Sequence, residues 1–143
     1  MKLKKFEGNP ILSPLDSNDW ESLVTCNPGV VYDNGTFYML YRAAGNDAEH
    51  VIRLGLATSK DGFHCERVSD VPVFGPSEDG PDSGCVEDPR IVKYDTEYYI
   101  TYAYRPYAPG QYWNFSHDEV LLPDCGSDAP MALRKNLVNT GLA

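Results

Sequence analysis

The sequence predicts an all-β fold, a β-propeller of which the chain holds about the first two blades. Three observations carry the prediction. Ten tyrosines, five phenylalanines and two tryptophans cluster in short apolar or alternating runs. Turn-forming residues separate these runs, and no stretch shows a 3.6-residue apolar period. The runs then recur at a fixed spacing.

Taken in order, "SNDWESL" (17–23) has room for one helical turn at most. "GVVYD" (29–33) and "TFYMLYRAA" (36–44) read as strands joined at "DNG", a hairpin signal. "RLGLATS" (53–59) is a third strand, closed by "KDG". The segment "EDGPDSG" (78–84) is a loop. After it, "RIVKYD" (90–95) and "EYYITYAYR" (97–105) repeat the strand pattern, and "YAPG" (107–110) turns away.

"NPGVVYDNGTFYMLYRA" (27–43) aligns with "DPRIVKYDTEYYITYAY" (88–104) at an offset of 61. Pro28 meets Pro89, Val31 meets Val92, Tyr38 meets Tyr99 and Tyr41 meets Tyr102. "GLA" at 55–57 recurs at 141–143, so the second copy carries about 25 more residues between its strands. Successive antiparallel strands at this period are a propeller blade, which buries its faces only by stacking on neighbours. Blade one spans about 21–83 and blade two about 84–143, the latter incomplete. Residues 1–143 are therefore expected to be the N-terminal part of a larger ring. Alone, such a chain should expose a blade face and melt without cooperativity.

The bulk numbers exclude several partners. A net charge of −9 gives no basic stripe for nucleic acid and no attraction to an anionic membrane. No run approaches the ~20 apolar residues of a membrane span, and no export signal is visible, so a cytoplasmic location is expected. Cys26, Cys65, Cys85 and Cys125 form no C-x-x-C pair, and the three histidines are scattered. No metal site is expected, and the cysteines are read as reduced thiols.

In a propeller, the start of each innermost strand opens into the central funnel. Those starts are "CNPG" (26–29) and "VEDPR" (86–90), so Asn27 and Asp88 should face one cavity. The proline after each should bias it towards an extended backbone. In such a backbone Glu87 would point away from Asp88 and serve the structure only. Asp88 is a candidate general acid. Arg42 interrupts an apolar strand, and Arg90 follows Asp88 closely. Either could hold a carboxylate or an anion. An Asp-Pro pair by itself is commonly just a turn.

Together, "GNPILSP", "NPGVVYDNGTFYMLYRAAG", "RLGLATSKDGFH" and "GCVEDPRIVKYDTEYYITYAYRPYAPG" resemble glycoside hydrolase family 130. The resemblance covers about 8–122 and the chain's end, and implies a five-bladed propeller acting on β-mannosides. Most members are phosphorylases, which use inorganic phosphate as co-substrate and release mannose 1-phosphate with inversion. Others are inverting β-mannosidases. It places the general acid on Asp88, relaying its proton through the mannosyl 3-hydroxyl, and the mannosyl-binding groups on Asn27 and Arg42. Arg53 and Arg90 would add to the polar lining. Tyr112 and Trp113 would form a platform for the sugar beyond the cleaved bond, or simply pack their loop. No cofactor is implied. The partners expected are a β-mannoside oligosaccharide and phosphate, with homo-oligomerisation of the full-length form left open.

The family's phosphate-binding groups come from later blades, so the chain alone is expected to be inactive. Two other readings stand beside this one. The first is another five-bladed glycosidase, active on arabinans or fructans. The second is a non-catalytic propeller that binds sugars or proteins.

Overall fold

The computed structural model describes residues 2–108 and 138–143. It is all-β, with two antiparallel sheets. The first sheet has the order β1-β2-β3-β4, formed by Val24–Asp33, Thr36–Ala44, Arg53–Ser59 and Glu66–Arg67. The second has the order β5-β6-β7, formed by Cys85–Tyr94, Glu97–Arg105 and Asn139–Leu142. The one helical element among the described residues, a 3₁₀ turn at Asp19–Glu21, lies in the stretch expected to hold a single turn.

The repeat is reproduced residue by residue. β5 and β6 begin and end 61 residues after β1 and β2, and β7 begins 86 after β3. Asn34 and Asp95 close the two hairpins from equivalent positions, both with positive φ (46° and 56°). Tyr41 pairs with Gly55 in blade one, as Tyr102 does with Gly141 in blade two. In both places the ring lies over the glycine. A Cβ would meet it at 2.2 Å in the first and 2.5 Å in the second.

The hydroxyls of these tyrosines are also matched. Tyr41 donates to Glu21 Oε2 (3.1 Å) and Tyr102 to Asp82 Oδ2 (3.1 Å), and the two acids are again 61 residues apart. Burial of such acids requires partners. Glu21 is wholly buried and also receives Arg67 Nε (2.8 Å) and Asn18 Nδ2 (2.7 Å). Burial, then the Glu21 charge, push the Tyr41 hydroxyl well above its ordinary pKa.

A third repeated part escaped the sequence reading. "PILSP" (10–14) matches "PVFGP" (72–76) at an offset of 62, one residue out of phase with the strands. Both segments strap a tyrosine. Ile11 and Leu12 pack on the core of Met39, Tyr41, Ala43 and Ala57. Phe74 meets Tyr102 edge-on at 5.0 Å. The second strap also crosses between the blades: Val73 N–H donates to Leu54 O (2.9 Å), and Leu54 N–H to Phe74 O (2.8 Å).

The blades meet along β1 and β5. At one end of this seam Asp33 accepts from Lys93 Nζ (2.9 Å) and Tyr98 Oη (2.6 Å). The other end carries the candidate site.

Candidate functional site

Each inner strand bulges where its chemistry begins. On β1 the register passes from Cys26↔Arg42 to Gly29↔Leu40, so Asn27 and Pro28 together oppose Tyr41. On β5 it passes from Glu87↔Ala103 to Arg90↔Thr101, so Asp88 and Pro89 oppose Tyr102. A bulge leaves its extra residue out of the ladder, re-aims the side chain and tolerates a proline. Asn27 and Asp88 adopt left-handed φ values of 45° and 54°. Asn and Asp bear that region better than other non-glycine residues. The expected extended backbone is thus corrected. The bulge overrides the local bias that a following proline imposes.

The two bulges lie against each other. A Cβ on Gly29 would meet Pro89 O at 2.7 Å, so only glycine allows this approach. Asn27 Nδ2 donates to Asp88 Oδ1 at 2.8 Å. Arg42 Nη1 donates to the same oxygen at 3.1 Å. Asp88 Oδ2 accepts no hydrogen bond among the described residues. With its side chain 36% exposed, Asp88 is open to solvent.

The positive φ at Asp88 also changes the reading of Glu87. Its carboxylate does not turn away from the site. Glu87 Oε2 lies 2.7 Å from the same Arg42 Nη1, and its Oε1 accepts from Arg105 Nε at 3.1 Å. Glu87 is buried, so it is held by two cations rather than by water. The chain Arg105–Glu87–Arg42–Asp88 fixes the acid from behind. Burial opposes the Arg42 charge, yet Glu87 and then Asp88 raise its pKa further above the ordinary value. Arg42 Nε is buried without a partner among the described residues. Leaving such a donor unpaired costs about 1–3 kcal/mol, a cost that an acceptor on a bound molecule would relieve.

Of the residues expected from sequence, the structure brings together Asn27, Arg42 and Asp88. Neither Arg53 nor Arg90 bonds the side chains of these three among the described residues. Arg53 Nη1 donates to Val51 O (3.2 Å), and Arg90 Nη1 folds back onto the main chain, 2.8 Å from Pro89 O and 3.4 Å from Asp88 O. Tyr112 and Trp113 lie outside the described residues. Arg105 was missed, although it carries a signal like the one that picked out Arg42: an arginine in an aromatic, largely apolar strand. No group of three or more His, Cys, Asp or Glu among the described residues could hold a metal ion. Cys26, Cys65 and Cys85 are free thiols. No described helix is long and apolar enough to cross a membrane.

Comparison with known proteins gives the chain's relatives. The family model described as beta-1,4-mannooligosaccharide phosphorylase matches residues 2–117. A 1,2-beta-oligomannan phosphorylase of Thermoanaerobacter sp. (strain X514) is 39% identical over 107 residues. A beta-1,2-mannobiose phosphorylase of the same strain is 35% identical over 112. Each match takes in 71% of this chain, which spans only 36% of the length of either relative. A solved structure has a TM-score of 0.60 at 33% identity, covering 68% of this chain and 33% of its own. It comes from work showing that the GH130 family of mannoside phosphorylases contains hydrolases targeting beta-1,2 mannosidic linkages in Candida mannan. The family match over residues 2–117, more than half of the chain, shows that it belongs to glycoside hydrolase family 130.

Proposed function

We propose that the complete protein carrying this sequence cleaves β-1,2-mannosides by inverting phosphorolysis, with Asp88 as general acid. One observation carries the reading. Asn27 and Arg42 converge from blade one on a single oxygen of Asp88 in blade two, leaving the other oxygen open. An acid fixed on one side and accessible on the other is what proton donation to a bound glycoside requires.

In this reading the Asp88 proton passes to the mannosyl 3-hydroxyl, whose own proton goes to the leaving oxygen. The bond from that oxygen to the anomeric carbon breaks. A phosphate oxygen attacks the same carbon from the opposite face and gives α-mannose 1-phosphate. Arg42 Nε, a buried donor unpaired among the described residues, takes a sugar oxygen, and Asn27 shares the hold on the mannosyl unit. Glu87 and Arg105 position Arg42. The β-1,2 linkage is favoured because both curated relatives act on β-1,2-mannosides by name. The reaction calls for no metal or organic cofactor, only phosphate as co-substrate. The phosphate cradle is assigned to later blades and the five-bladed ring to the whole protein, so the two blades alone are inactive.

A hydrolytic reading stands second, favoured by the solved relative whose description names hydrolases on the same linkage. There a water, activated by a carboxylate, replaces phosphate. The test is to supply β-1,2-mannobiose with and without phosphate and follow both products. Mannose 1-phosphate formed only with phosphate supports phosphorolysis. Mannose released at an unchanged rate without phosphate supports hydrolysis. Turnover that survives Asp88→Asn contradicts the assignment of the acid in either case.

A further inference from the structure

A second bridge joins the two halves of the site without touching Asp88. Loop 45–52 leaves β2 after Ala44 and enters β3 at Arg53, at the end of the seam where the bulges lie. Its last residue, Ile52, is buried in one cluster with Ala44 and Cys85. Ile52 O accepts from Val86 N–H at 3.2 Å. Val86 immediately precedes Glu87 and Asp88 on β5, so this bond ties the strand that carries the acid to blade one.

The loop is held in shape at both ends. Asn46 N–H donates to Ser22 Oγ (3.3 Å), and a Cβ on Gly45 would have no room beside Asp19 O, so the loop's start is pressed against the 3₁₀ turn. Asp47 Oδ1 accepts from the N–H groups of Glu49 (3.0 Å) and His50 (2.7 Å). The His50 ring then folds back and places Nδ1 3.3 Å from Gly45 O. A carbonyl only accepts, so Nδ1 carries the proton. His50 is 4% exposed, whereas residues 46–49 are exposed. Its φ of 49° is left-handed, a region that suits His, Asn and Gly better than most residues. The imidazole is thus the clasp of the loop, two residues before the carbonyl that holds β5.

We propose that His50 is a positioning residue for the acid. It keeps loop 45–52 closed, so that Ile52 holds the start of β5, and with it Glu87 and Asp88, in place against Asn27 and Arg42. The inference rests on Asp88 being the acid of a mannoside-cleaving centre. The groups that hold the mannosyl unit, Asn27 and Arg42, lie on blade one with the loop, while the acid lies on blade two. Loosening the clasp therefore weakens proton donation more than substrate binding, which separates kcat from KM.

Two substitutions in the complete polypeptide test it, read by hydrogen exchange and by kinetics on β-1,2-mannobiose with phosphate. His50→Gly removes the ring but accepts the left-handed backbone. His50→Asn also accepts it and puts an amide donor where Nδ1 stands. In His50→Gly the Val86 amide should exchange about tenfold faster than in wild type, as a locally opened segment does. Its kcat should fall by about 10- to 100-fold, the cost of a displaced catalytic group. Both KM values should stay within about twofold, as when an interaction made only in the transition state is lost. His50→Asn should restore both the slow exchange and the rate. Where His50→Gly loses its β-sheet circular dichroism, His50→Phe, which fills the space without the donor, should give the same split. Unchanged Val86 exchange in His50→Gly would overturn the proposal. So would faster exchange with an unchanged kcat, or a His50→Asn variant as slow as His50→Gly. A wild type that turns over no mannobiose would sink the mannoside reading instead, and Val86 exchange would still decide whether His50 holds β5.

Discussion

Glu87 is the residue on which the site's geometry turns. It is almost wholly buried and accepts from Arg42 and Arg105 on its two oxygens. Glu87→Gln removes the buried counter-charge that Arg42 and Arg105 share, leaving Asp88 on Arg42. Breaking a buried ion pair costs about 3–5 kcal/mol, so the denaturation midpoint should fall sharply. A shift below the error of the urea titration would mean that Glu87 does not anchor Arg42. Nearby, burial and then the Glu87 charge push the Cys85 thiol up from 9.0 to about 12. Its folded pKa lies above the unfolded one. The associated stability is therefore complete below about pH 9 and is lost as pH rises towards 12. Native Cys85 should resist iodoacetamide at pH 8 and react in urea, as read by peptide mass spectrometry. Equal labelling in both states would contradict its burial. From sequence, the Asp88–Asn27 pairing was legible through the repeat alone. The role of Glu87 was not, because its direction depends on a positive φ that no local pattern of Asp and Pro announces.

Among the elements, the two bulged inner strands do most to build the site, and they require Gly29. Its missing side chain lets β1 approach Pro89. Gly29→Ala should force the strands apart at an overpacking cost of about 1–3 kcal/mol. It should also lengthen the Asn27–Asp88 contact. A variant as stable as wild type, with unchanged chemical shifts at Asn27 and Asp88, would show that the approach is not tight. The strands themselves could be read in the sequence, since alternating aromatic and β-branched runs and their turns mark a pleated, partly buried surface. The straps could not. They are single short segments offset by 62 rather than 61, and prolines make them look like loops. Their regularity shows only when Leu12 and Phe74 are seen against equivalent tyrosines.

At the scale of the molecule, the fold is a repeated unit of strap, buried acid, bulged inner strand and tyrosine-over-glycine pair. The seam between two such units creates the site, because neither blade alone carries both Asp88 and its partners Asn27 and Arg42. This explains why an offset in the sequence could find the site at all. Residues far apart in the chain become neighbours by symmetry of the repeat. Arg53 and Arg90 had no such symmetry behind them, only proximity in sequence or a place in a motif, and they bond main-chain carbonyls, that of Asp88 among those of Arg90. The central claim is that Asp88, held by the facing blade, is the acid of a β-mannoside-cleaving centre. The most direct measurement is the rate of mannose 1-phosphate formation from β-1,2-mannobiose and phosphate in the complete polypeptide carrying this sequence, with Asp88→Asn alongside. The account predicts phosphate-dependent product from the wild type and a loss of at least about 10²-fold in the variant, the contribution typical of general acid catalysis. An Asp88→Asn protein that turns over as fast as the wild type would contradict it.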